Sequence, residues 1–258
     1  DELRLLGDET FFKAKARIFD QLKKGGTAVL NNDDKKVLAL KRKISAKALT
    51  YGMGRRADIR AEVIELALGG SRFRAVTPRG SIDIETDLIG RHNVSNILAA
   101  IAASSALGIS RDAIREGVRC CRRVPGRLEP IEVGQSFRVF VDFAHTEDAL
   151  YNVLTLLKEV SANKIITVFG CGGNRYRKKR PMMGRVACKY SDRVVITSDN
   201  PRFEEPAAII AEIENGISGK FSNYDIAVDR REAIEKALEI ASKGDIVLIA
   251  GKGHEKCQ

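Results

Sequence analysis

The sequence holds 258 residues, enough for two domains of ordinary size, each able to bury its own core. Its 44% hydrophobic and 30% charged residues are the balance of a soluble globular protein. No apolar run approaches the roughly 20 residues that span a bilayer, and no signal-peptide pattern opens the given residues. The cysteines Cys120, Cys121, Cys171, Cys188 and Cys257 show no metal-ligand spacing, which fits reduced thiols in a cytoplasmic protein. The net charge of +10 calls for an acidic partner, either a nucleic acid at RYRKKR (175–180) or a small substrate rich in phosphate and carboxylate. Those cations interrupt a glycine loop instead of lining a helix face, and stacking aromatics are scarce nearby, so the small-molecule reading leads.

In chain order, FFKAKARIFDQLKK predicts a helix from Asp8 or Thr10, with apolar Phe11, Ala14, Ile18 and Leu22 and a stop at Gly25 and Gly26. TAVLN (27–31) reads as a strand, and Asp33 and Asp34 start a short helix through Leu40. Residues 58–89 alternate as β-structure with turns at Gly69, Gly70 and 78–80. An Ala-rich helix runs from about Asn93 to Gly108, and Ser110 caps another.

The pattern changes near 122–126, where CRRVPGR reads as a hinge. Strand and helix then alternate: IEV, FRVFVDFA, IITVFG, RVVITS, YDIAV and DIVLIA, with helices near 147–160, 181–190, 206–216 and 230–242. Pro206 suits a first helical turn and Asp229 an N-cap. This predicts an α/β fold, with a doubly wound, Rossmann-like domain in the second half. The stretch 168–205 is its centre: a glycine loop ends one strand, and Asp199, Asn200, Pro201 and Arg202 end the next. Open α/β sheets bind ligands at such strand ends, so half of a site for an anionic or zwitterionic small molecule is expected there.

Seven segments in order, FFKAKARIFD, HNVSNILAAIA, VPGRLE, DFAHTEDAL, VFGCGGNRYRKKRPMMG, TSDNPRFEEP and GKGHE, resemble the Mur ligases of peptidoglycan synthesis, most closely the MurE type. The resemblance runs from about Thr10 to Gln258. It implies the C-terminal part of a central ATPase domain over 1–121 and a Rossmann-like amino-acid-binding domain over 122–258. No GxxxxGK[ST] phosphate loop occurs in these residues, and the chain reads as a piece cut at both ends, inactive by itself.

The implied reaction is ATP-dependent amide-bond ligation through an acyl-phosphate, adding meso-diaminopimelate to UDP-MurNAc-L-Ala-D-Glu with magnesium, in a cytoplasmic monomer that binds neither nucleic acid nor membrane. The resemblance places Lys15 in the catalytic machinery as a carbamylated lysine helping to hold magnesium, the plain alternative being a solvated helix lysine like Lys13. His145 is implied to hydrogen-bond the nucleotide or the acyl-phosphate oxygens. Asn93 and Asn96 are implied at adenine, with Asn93 alternatively a helix cap, and Arg127 and Asp142 at phosphate or ribose. Arg175, Asn200, Arg202, Gly251 and Glu255 match positions that bind the incoming amino acid. DNPR is the version tied to meso-diaminopimelate, whose second carboxylate suits a guanidinium; the plain alternative for Arg202 is an ion pair with Glu204 or Glu205. Lys178, Lys179 and Arg180 read as steering charges, and His254 as orienting its loop.

Three departures stand out. Glu2 occupies a position where relatives carry a histidine that bears on the metal, Phe143 and Glu147 replace a tyrosine and a proline, and NRYR makes its loop more basic than usual. Competing readings are a related ligase, such as a folylpolyglutamate or cyanophycin synthase, and a non-catalytic amino-acid-binding module.

Overall fold

A computed structural model of the protein describes residues 8–255, so Glu2 and Cys257 lie outside the described residues. The chain divides into two compact units, one ending at Arg122 and the other starting at Arg123.

The first unit opens with α1 (Asp8–Ala16), which tightens into a 3-10 helix over Arg17–Gln21 instead of running on to the glycines. The cause is a lack of burial: Ile18, one of the apolar positions that predicted a longer helix, is 65% exposed. Short helices need a packed face to persist. Strand β1 (Thr27–Asn31) follows, then α2 (Lys35–Leu40), capped by the Asp34 carboxylate on the amides of Lys36 and Val37.

Next come β2 (Lys47–Gly52), β3 (Ile59–Ala67), β4 (Gly70–Thr77) and β5 (Gly80–Thr86), and then α3 (Arg91–Ala106) and α4 (Arg111–Cys120). They form a five-stranded sheet in the order β1-β2-β3-β4-β5. The first three strands are parallel, and β3-β4-β5 is an antiparallel meander. Strand β2 is absent from the sequence-based expectation. KALTYG has neither clean alternation nor a long apolar run, and only pairing between β1 and β3 makes it a strand. Helix α3 lies across β1 to β3 and α4 against β5. The core between them gathers Ile59, Phe73, Ile82, Ile84, Leu98 and Ile101.

The second unit contains β6 (Glu129–Ile131), β7 (Arg138–Asp142), α5 (Glu147–Val160), β8 (Ile165–Phe169), α6 (Lys179–Tyr190), β9 (Arg193–Ile196), α7 (Pro206–Glu214), β10 (Tyr224–Ile226), α8 (Arg230–Ile240) and β11 (Ile246–Ala250). The six-stranded sheet runs β10-β9-β8-β11-β7-β6, parallel except for the edge strand β6. Strand β6 sits two residues before the expected IEV, because Glu129 and Ile131 pair with Val141 and Val139, while Val133 is left 85% exposed.

From β7 to β10 the chain steps one way across the sheet, and α5, α6 and α7 pack side by side on one face. From β10 it returns to insert β11 between β8 and β7, so right-handed crossover puts α8 on the other face. There Ala233 and Ala237 close on Val139, Val168, Val195 and Val247. Strand β8, with every residue buried, reads as one apolar run because helices cover both faces. The carboxyl ends of β7, β8, β9 and β11 therefore emerge together at one end of the sheet.

Candidate functional site

Four loops meet at those strand ends. The loop after β8 (170–178) and the loop after β9 (197–205) press on one another: Gly173 N–H donates to Asn200 O at 2.8 Å. A Cβ on Gly173 would fall 1.8 Å from the Pro201 carbonyl oxygen, so only glycine allows this approach. Asn174 takes φ +51° and ties the loops twice more, its N–H donating to Glu204 Oε1 at 2.5 Å and its Oδ1 accepting from Phe203 N at 3.0 Å.

Arg202, also at positive φ (+52°), is exposed and turns its guanidinium to the carbonyls of Gly173 (2.9 Å) and Asn200 (3.4 Å). It does not pair with Glu204, because that carboxylate is occupied by Arg180 at 2.9 Å on both of its oxygens. Arg175 lies exposed in the facing loop, and Asn200 is half-buried with its N–H on Asp199 Oδ1 at 2.5 Å.

The other two loops follow β7 and β11, and the VPGR segment joins them. Phe143 N donates to Gly126 O at 2.8 Å. Gly126, at φ +68°, leaves room for the backbone of His254, which a Cβ would approach to 2.4 Å. The Phe143 ring is the hub: His145 lies 4.6 Å away centroid to centroid, His254 5.8 Å, and the Arg127 guanidinium carbon 5.3 Å above it. A guanidinium so placed gains cation–π attraction while its N–H groups stay outward.

Asp142 is buried, and its carboxylate accepts from Leu128 N and Ala144 N, both at 2.8 Å, while its carbonyl accepts from Gly251 N at 3.0 Å. It thus anchors all three segments. His145 is exposed with Nδ1 2.9 Å from the Phe143 carbonyl. A carbonyl can only accept, so Nδ1 carries the proton and Nε2 is left outward as the acceptor of the neutral ring. Gly251 is buried at φ +111°, and Glu255 is exposed at the end of the described residues.

Beneath these loops lie groups given no role by the sequence, and Arg230 belongs to none of the seven segments. Arg230, in the first turn of α8, donates to Ala250 O (2.9 Å) and more weakly to Ser198 O (3.4 Å), tying the ends of β11 and β9 across β8. Burial pulls its pKa below the usual guanidinium value, opposed by the charge of Asp199. Asp199 is itself buried, with Oδ2 2.8 Å from where a Cβ on Gly251 would sit. Cys171 is inert: burial pushes its thiol up to about 12, and Sγ rests 3.7 Å from Met183 Sδ.

The basic run is not the steering patch its sequence suggested. Helix α6 begins at Lys179, two residues before the expected Pro181, and turns both Lys179 and Arg180 inward to 6% and 1% exposure. Arg177 pairs with Glu212. Arg175 and Lys178 remain exposed.

In the first unit, α3 begins after Gly90, so Asn93 does not cap it. Asn93 is buried and donates back to Ile89 O at 2.9 Å, which fixes its Oδ1 toward the exposed Asn96, 3.5 Å from that amide nitrogen. Lys15 is exposed in the last turn of α1, and Lys13 pairs with Glu9 at 2.9 Å. Among the described residues no three His, Cys, Asp or Glu side chains gather as a metal site.

Residues 7–104 match the model of the Mur ligase middle domain, and residues 126–253 that of the Mur ligase glutamate ligase domain. A protein of Oceanobacillus iheyensis called UDP-N-acetylmuramoyl-L-alanyl-D-glutamate–2,6-diaminopimelate ligase is 43% identical over 256 residues, which is 97% of this chain and 52% of that one. A solved structure of a ligase of the same name superposes with a TM-score of 0.64 at 39% identity, again over 97% of this chain and 52% of the other. Folylpolyglutamate synthase of Mycobacterium tuberculosis, complexed with ADP and AMPPCP, shares the fold at a TM-score of 0.76 and 21% identity, over 94% of this chain and 56% of its own. The chain spans about half the length of the curated relatives it matches. With its two halves matching successive domains of one family, the chain belongs to the Mur ligases.

Proposed function

We propose that this chain carries the amino-acid site and part of the nucleotide site of an ATP-dependent ligase that joins meso-diaminopimelate to UDP-MurNAc-L-Ala-D-Glu. The observation that carries this reading is Arg202. It sits in the loop after the parallel strand β9, beside Asn200 and opposite Arg175, and among the described residues its guanidinium rests on two carbonyl oxygens. A guanidinium held that way is ready for a carboxylate, and the far carboxylate of meso-diaminopimelate supplies one.

Arg175 then meets the other carboxylate, Glu255 the far ammonium, and the Gly251 turn the backbone end of the amino acid. L-Lysine has no far carboxylate and leaves Arg202 without an anion, which is the basis of selection. The similarity to the diaminopimelate ligase of Oceanobacillus iheyensis supports this choice.

ATP acts as the co-substrate: its terminal phosphoryl passes to the glutamate carboxylate of the nucleotide substrate, and ADP leaves. The amine of diaminopimelate attacks the acyl carbon, the carbon–oxygen bond to phosphate breaks, and the amine nitrogen loses its proton. Each unit by itself offers groups suited to a nucleotide: in the first, Asn96, steadied by Asn93, has a carboxamide for an adenine edge; in the second, Arg127 has a fixed positive charge for phosphate. His145, with Nδ1–H held by a carbonyl, keeps Nε2 outward for a hydrogen bond with the nucleotide substrate.

Lys15 keeps its proposed role as a carbamylated ligand to magnesium. Carbamylation would give it an oxygen to offer that ion, and among the described residues no three His, Cys, Asp or Glu side chains gather to join it. A cytoplasmic monomer fits this reading.

Calorimetric titration of the chain with meso-diaminopimelate and, in parallel, L-lysine tests it. Binding of the first alone, lost in Arg202→Ala, is expected. Equal or reversed preference overturns the diaminopimelate assignment.

A further inference from the structure

Among the described residues the most buried cation is Arg180, at 1% exposure, and no step of the proposed reaction uses it. Its guanidinium donates to Glu204 Oε1 and Oε2, each at 2.9 Å, to Glu212 Oε2 at 2.8 Å, and to the Gly172 carbonyl at 3.3 Å. Three segments converge on one planar fork: the glycine loop after β8, the loop after β9 and helix α7. Glu204 in turn holds Asn174 N–H, and Asn174 Oδ1 holds Phe203 N–H. Arg202 lies between Phe203 and the Gly173 carbonyl that receives its guanidinium. Both Asn174 and Arg202 adopt positive φ, a conformation that side-chain-bearing residues keep only when their surroundings impose it.

We infer that Arg180 is the positioning residue of the amino-acid site, its fork on Glu204 and Gly172 setting the distance between the two loops and so the place where Arg202 presents its guanidinium. The inference rests on the reading that these loops bind meso-diaminopimelate. A single compact ammonium cannot do the same, because Arg180 satisfies acceptors on separate segments at once with donors fixed in one plane. The sequence context hides this role, since Arg180 closes a run of cations that looks like a solvated patch.

Two variants test the inference, Arg180→Lys and Glu204→Gln, the latter at a partly exposed side chain whose loss spares the buried cation its second partner, Glu212. The readouts are meso-diaminopimelate affinity by calorimetry and backbone amide exchange. Both variants are expected to weaken binding by about tenfold, as misplacement of a charge-assisted contact does. Exchange should quicken at Gly173 and Asn174 while the amides of β8 and β9 stay protected, which separates a displaced loop from an unfolded sheet. Folded variants that bind with undiminished affinity overturn the inference, as does unchanged exchange at Gly173 and Asn174. If the unsubstituted chain shows no preference for meso-diaminopimelate over L-lysine, the functional reading fails first. If it does, and Arg202→Ala abolishes it while Arg180→Lys and Glu204→Gln do not, only the positioning role falls.

Discussion

Glu204 accepts from a backbone amide and from both branches of a buried guanidinium, and the Arg180 contact holds its carboxyl at about 2, well below the usual carboxylate range. A carboxyl depressed by folding stabilises the folded state fully at pH values above its unfolded pKa. That contribution fades as pH falls from about 4.5 toward 2. Acid titration of unfolding stability should therefore show a decline through this window that is shallower in Glu204→Gln, measured by urea unfolding at successive pH values. An identical decline in the variant would remove Glu204 from the cause. Phe143 shows a different economy of residues. Its ring alone gathers Arg127, His145 and His254, and needs no hydroxyl for those contacts.

At the scale of elements, the strand ends carry the proposed site because four parallel strands finish together, and the loops there are pinned by polar groups from beneath: Asp142, Arg180, Arg230. One element of the first unit holds backbone strain. Strand β3 shifts register against β4 between Glu62 and Glu65, and Val63 in that bulge takes φ +51°. For a β-branched side chain this region is costly, on the order of 1–2 kcal/mol. Val63 is 69% exposed, so its replacement forfeits little burial. Val63→Asn should stabilise the protein by about 1 kcal/mol, since asparagine tolerates positive φ. A raised urea midpoint with unchanged slope is the expected result, and a lowered midpoint would show that the bulge is not strained by its side chain.

Across the whole molecule the charge of +10 does not form one open patch at 175–180. Arg177 and Arg180 are neutralised by Glu204 and Glu212, and Lys179 is buried. Nucleic-acid binding should then be weak: fluorescence anisotropy with a labelled single-stranded oligonucleotide at 0.15 M salt should give a dissociation constant no tighter than roughly 10⁻⁵ M, in the range of non-specific contacts. Submicromolar affinity that falls steeply with salt would restore the nucleic-acid reading.

The alternation of buried runs and helical patterns after Arg122 was legible from residues alone, and so were the caps at Ser110 and Asp229, because period and cap chemistry are local. Of Asp33 and Asp34, read together as a helix start, only Asp34 caps, while Asp33 holds Met53 N–H and Gly54 N–H. The ordered motifs likewise pointed to the family. Strand β2 was not legible, since its strand character comes from two neighbours distant in sequence. Nor was the early end of α1, decided by a face left unburied. Above all, the sequence spells RYRKKR as five cations around one tyrosine, whereas burial sorts them: helix α6 begins early enough to turn Lys179 and Arg180 inward and leaves Arg175 exposed. Local pattern determines which elements form. Only tertiary structure decides which of several like charges is desolvated and paired, because that depends on carboxylates supplied 24 and 32 residues further along the chain.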